Sequence, residues 1–252
     1  MSDLSEVRPV EPGYYGLDMS RLSWGEFQRM NNNRVVGLVL GLCRSLLTDF
    51  SPVSGIWLPS YWGSTFVAPE EISERGMEAV LPFIAMFERE HFHLISYNKL
   101  IQGIWPNLVE SCGATLIHTS GEFLVTINYQ DIQTVEPTVS KTIQFYCRSG
   151  RCIGVKDTKD YFDPINSSKI IAMPGASIDR LWQRIQQERM ERVLQGESIV
   201  GYQTVDQWKV VLDEYQARVH HNWVNVRKIY RKLTEAEVEK LRQQVLKQQS
   251  EL

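Results

Sequence analysis

Long hydrophobic runs are missing from this chain of 252 residues. Its longest uncharged apolar stretch, residues 35–43, lies between Arg34 and Arg44 and is less than half of the roughly 20 residues that cross a hydrocarbon layer. It reads as the middle of a buried helix, and no membrane association is expected. The opening residues, Met1-Ser-Asp-Leu-Ser-Glu, lack a basic-then-apolar leader, so no secretory route is expected either. Cysteine is scarce: Cys43, Cys112, Cys147 and Cys152 are too few for a disulfide framework and contain no CxxC pair. Reduced thiols and a cytoplasmic protein are the expectation. A charge excess is missing as well. Lys and Arg number 27 against 30 Asp and Glu, a net charge of −3, which argues against a generally basic nucleic-acid binder. There is no GxSxG elbow, no GxxxxGK[ST] loop, no GxGxxG after a strand and no HExxH. Acyl-transfer, nucleotide and dinucleotide chemistry lose most of their weight, and no pattern asks for a cofactor.

What is there is ordinary globular material, 43% hydrophobic and 23% charged. Its local patterns predict an α+β fold with N-terminal helices, a central antiparallel meander of four to five strands and a helical C-terminal region. Residues 1–22 read as an extended arm with Tyr14 and Tyr15 as anchors. Residues 23–176 read as the α+β core, and residues 177–252 as a helical region packed on it or extending from it. Ser23 and Glu26 form a capping box for a helix reaching about residue 50. Pro69 opens a second helix that runs to about residue 90, kinked or divided at Pro82. Leu94, Tyr97, Ile101, Ile104 and Trp105 recur at helical spacing and predict a third helix, ended by Pro106. The period then changes to two. Residues 114–119 and 122–129, and residues 141–147 and 152–156, predict two hairpins, with a fifth strand at 170–173. Ser177, Thr204 with Gln207, and Thr234 with Glu237 cap three further helices, the second continuing or restarting through 220–233.

Five features could carry function. Residues 55–66 interleave Trp57, Tyr61, Trp62 and Phe66 with Gly and Pro. Such rings give contact area at low entropy cost, so a partner-binding loop is expected, the alternative being a loop folded over the core. Arg218, Arg227, Lys228, Arg231 and Lys232 are the densest positive charge. On a helix, 227/231 and 228/232 make one basic face suited to phosphates, or simply a solvated face. Glu88-Arg-Glu90-His91-Phe-His93 holds two Glu-x-x-His pairs, a spacing that puts carboxylate and imidazole on one helical face. A metal at Glu90, His91 and His93 needs a further ligand such as His118, and the plainer reading is a charged helix end. Val238, Leu241 and Val245 follow heptad spacing and are the expected self-association positions, with packing on the chain's own body as the alternative. Finally, a two-residue loop at Ser149-Gly150 pairs Cys147 with Cys152 across the hairpin on the apolar face. It leaves Arg148 and Arg151 for solvent or an anionic partner.

The expected function is that of an intracellular non-enzymatic adaptor or assembly subunit that contacts other proteins and self-associates. The alternatives are a nucleic-acid-associated protein using residues 218–232 and a metal-dependent enzyme centred on 88–93.

Overall fold

The structure, a computed structural model, describes residues 7–30, 55–58, 66–99, 103–104, 108–133, 135–159, 162–163, 165, 168–202 and 204–250. The second half of the first predicted helix and Cys43 lie outside these residues. In chain order the elements are β1 (Gly13–Leu17), α1 (Trp24–Met30), β2 (Gly55–Leu58), β3 (Phe66–Val67), α2 (Glu74–Arg89), β4 (Phe92–Lys99), β5 (Gly103–Ile104) and β6 (Leu108–His118). They continue with β7 (Leu124–Ile132), β8 (Val135–Tyr146), β9 (Cys152–Lys156), β10 (Ser168–Ala172), α3 (Ile178–Leu194), α4 (Val205–His221), a π-helical turn (Asn222–Val226), β11 (Tyr230–Lys232) and α5 (Glu235–Ser250).

Among the described residues the strands form two sheets, and the larger corrects the expected meander. Its seven strands run β10-β9-β8-β7-β6-β4-β3. The β6–β9 meander forms its middle, β4 and β3 extend it at one edge, and β10 joins the other edge parallel to β9. The sheet is therefore mixed. One face packs against α2 and α3 through Val80, Ile84, Phe87, Leu181 and Ile185, which meet Ala114, Leu116, Val125, Ile127, Ile143, Phe145 and Val155. The other face receives α4, whose Trp208 and Leu212 cover Ile117, Leu124, Tyr146 and Cys152. α2 passes through Pro82 undivided. That proline is on the exposed side of the helix, where water can satisfy the carbonyl it leaves unpaired.

The predicted helix at 94–105 is instead strand β4 followed by β5. A bulge between Leu94 and Ser96 explains the misleading spacing. Ile95 is the inserted residue, so Phe92, Leu94 and Tyr97 all pack into the α2/α3 core while Ile95 joins the α4 side. An extra residue in a strand converts a period of two into a step of three, which mimics a helix.

The smaller sheet runs β11-β1-β2-β5. The predicted arm thus holds a strand, with Tyr15 paired to both Ile56 and Lys232. α1 packs Phe27 against Leu22 and Ile229, and α5 packs Leu241 against Leu233 and Tyr14. The Ser23 capping box forms as its spacing predicts, and Glu26 does more than cap. Its carboxylate accepts from the Ser23 N–H at 2.8 Å, the Asp163 N–H at 2.7 Å and the Arg227 guanidinium.

Candidate functional site

The hairpin joining β8 to β9 differs from its expected form by one residue. Tyr146, not Cys147, pairs with Cys152. The Gly150 N–H donates to the Cys147 carbonyl at 2.8 Å, and the Cys147 N–H donates to the Arg151 carbonyl at 2.8 Å. Gly150 has φ +80. These bonds close a three-residue loop ending in a left-handed glycine, rather than a two-residue one. A one-residue change flips every side chain that follows. Cys147 therefore faces the α2/α3 side and Cys152 the α4 side, so the expectation of two thiols in contact is wrong. Their burial stands: both are free and buried, and burial first, with Glu197 acting further on Cys147, pushes each thiol up to about 12.

Around this turn the fold gathers arginines. The Arg148 N–H donates to Ser198 O at 2.8 Å, and Cys147 bridges to Ile199, which seats the turn on the segment leaving α3. Arg151 and Arg192 both reach the Glu197 carboxylate, at 2.8 and 3.3 Å. Burial raises the Glu197 pKa, but Cys147, Arg151 and Arg192 outweigh it and hold the carboxyl below its ordinary range. From the opposite side of the sheet, α4 delivers Arg218. Its Nη1 lies 2.7 Å from where a Cβ on Gly150 would stand. The Nε atoms of Arg218 and Arg192 are buried without a hydrogen-bond partner. Beside this cluster the end of α3 exposes Met190 at 62%, Val193 at 48% and Leu194 at 81%.

The other predicted site residues are placed apart. Trp57 lies on β2 of the small sheet and Phe66 on β3 of the large one, so the aromatic stretch is not a single loop. Tyr61 and Trp62 lie outside the described residues. Lys209 Nζ sits 5.4 Å from the Phe66 ring centroid. The basic helix face also dissolves. The π-helical turn ends α4, Lys228 adopts φ 56, and Arg231 and Lys232 lie on β11. Arg227 pairs with Glu26, Arg231 with Glu237 and Lys232 with Glu11, leaving Arg218 in the different cluster just described. Glu90 caps α2, His91 adopts φ 64 and His93 is exposed on β4. Among the described residues no group of three His, Cys, Asp or Glu side chains is arranged to hold a metal ion. His118 accepts at Nδ1 from the Ser120 N–H at 3.1 Å and packs between Phe92, Phe123 and Trp182. Burial, then His91, lowers its pKa. Leu241 is 1% exposed, covered by residues of its own chain, with Val238 and Val245 packed beside it.

Met190, Val193, Leu194, Arg192 and Glu197 were not singled out as site residues, although helical phase could have found Met190 and Leu194. Ile178, Leu181 and Ile185 define the inner face of α3. Leu194, nine residues beyond Ile185, falls about 180° away from it. No family model, curated protein or solved structure matches the chain, and among the described residues no helix is long and apolar enough to cross a membrane.

Proposed function

We propose that this chain is an intracellular, non-enzymatic adaptor or assembly subunit that works by binding other proteins. The observation that carries this reading is the end of α3. Met190, Val193 and Leu194 share one outward side of a well-anchored helix, and Leu194 is 81% exposed. Neighbouring exposed aliphatic side chains on a rigid element cost solvation and return nothing until a partner covers them. Three buried free thiols accord with a reducing compartment. Self-association through α5 is not part of the proposal, because Leu241 is spent inside the chain.

The test compares affinity purification of the tagged full chain from its source cell with that of a Val193→Ser/Leu194→Ser variant. Both positions are exposed, so the fold is expected to survive and circular dichroism checks it. The expected outcome is a defined set of proteins, near stoichiometric with the wild-type chain and depleted with the variant. Identical recoveries from the two chains would overturn the reading.

A further inference from the structure

Every arginine side chain close to the β8–β9 turn is either unpaired or competing for one carboxylate. Arg148 and Arg218 have no ion pair or side-chain hydrogen bond among the described residues, while Arg151 and Arg192 share Glu197. Four guanidinium groups thus gather at this turn, and the one ion-pair partner found for them among the described residues is Glu197. Elsewhere Glu26, Glu122, Glu188 and Glu237 each hold an arginine. A guanidinium with a buried, unpartnered Nε is costly to keep. Gly150 leaves room for the guanidinium, since a Cβ there would stand 2.7 Å from Arg218 Nη1. The apolar end of α3 adjoins the cluster, Leu194 standing three residues before Glu197.

We infer that the β8–β9 turn and the end of α3 together form a docking surface for an acidic, apolar segment of a partner protein, an inference that rests on the protein-binding reading above. The two halves of the surface make different demands. The arginines need carboxylates to complement their charge, and bidentate pairing suits guanidinium to carboxylate. Met190, Val193 and Leu194 need aliphatic or aromatic side chains, which a phosphodiester backbone does not offer. A segment with glutamates or aspartates beside leucines satisfies both halves, and a nucleic acid satisfies only one.

The probe is a short fluorescein-labelled helical peptide of Leu, Ala and Glu with glutamates flanking one leucine face, followed by anisotropy on the full chain. Its Gln-for-Glu counterpart, an oligothymidylate and vesicles of phosphatidylcholine with phosphatidylserine are the other arms. The peptide is expected to bind with a dissociation constant in the micromolar range and to weaken as salt rises from about 50 to about 200 mM. The Gln counterpart and the Arg148→Gln/Arg218→Gln variant are each expected to lose about tenfold, and Leu194→Ser roughly threefold or more. Circular dichroism confirms that the variants are folded. Equal peptide binding by wild type and both variants overturns the inference. So does tighter binding of the oligothymidylate or the vesicles than of the peptide. If the peptide fails while the purification above still recovers partners that depend on Val193 and Leu194, the acidic-partner inference falls and the protein-binding reading stands. If both fail, both fall.

Discussion

Glu26 is fully enclosed, and a buried carboxylate survives only if its acceptors are filled. Burial pushes its pKa up, but the Arg227, Asp163 and Ser23 hydrogen bonds outweigh burial and hold the carboxyl at about 2, below an ordinary value near 4.3. A depressed carboxylate gives its full stabilisation above the unfolded value and loses it as pH falls through the folded one. Stability from this group is therefore complete above about pH 5 and drains toward about pH 2. Glu26→Gln strands the Arg227 charge and should cost roughly 3 kcal/mol at neutral pH, and the variant should lose much of the acid-limb slope in urea midpoints between about pH 5 and pH 3. A slope unchanged in the variant would show that other carboxylates set the acid limb. A second residue-scale outcome concerns the thiols. With Cys147 and Cys152 on opposite faces of the sheet and both at about 12, the native protein should resist a thiol reagent at both positions. Mild oxidation should give no bond between them, and a mass two protons lower in the peptide spanning 147–152 contradicts the register.

At the scale of elements, the boundaries that were legible are those marked by side-chain chemistry. The caps at Ser23, Ser177, Thr204 and Thr234 stand where they form the bonds expected of them, whereas the second helix starts at the unexpected cap Ser73 rather than at Pro69. The illegible boundaries are those where a backbone turn lacks its usual residue. α2 ends at Arg89, as expected near residue 90, but the π-helical turn after α4 ends at Lys228 with φ 56. At Lys228 the Ile229 N–H returns to Trp223 O at 2.9 Å, a helix stop that glycine normally announces. With no glycine at 228 to read, a helix is expected through 220–233, whereas the helix expected at 94–105 owes to the bulge at Ile95. The arginine cluster escaped for a different reason: Arg148, Arg192 and Arg218 come from three elements, and the hairpin register and the two flanking helices bring them to one place. His91→Gly relieves left-handed strain of about 1–2 kcal/mol against a chain-entropy cost of about 0.5–1 kcal/mol, so a net gain near 0.5–1 kcal/mol is expected. The left-handed glycines form a graded series. A Cβ on Gly121 meets Tyr202 O at 2.4 Å, one on Gly150 meets the mobile end of Arg218, and one on Gly196 meets nothing. Alanine should therefore cost about 1 kcal/mol at Gly196 from backbone strain alone, more at Gly150 and most at Gly121. Three equal unfolding midpoints would contradict this ordering.

For the molecule as a whole, the two sheets differ in what holds them. The large one is enclosed by helices on both faces. The small one relies on α1 and α5, with Leu241 as the buried side chain of α5. Leu241→Ala should cost about 2–5 kcal/mol, and hydrogen exchange should locate the loss in β1, β11 and α5 while β6, β7 and β8 stay protected. Uniform loss of protection would mean that the sheets unfold as one. The pairing of β1 with β11 also sets an order of events during synthesis. Tyr15 leaves the ribosome long before Lys232, and at about 5–20 residues per second the interval is roughly ten to forty seconds. Among the described residues the large sheet draws no strand from beyond residue 172, so its described strands are available in the meantime. One side of β1 must stay unpaired throughout, and the chain completes its first strand almost last.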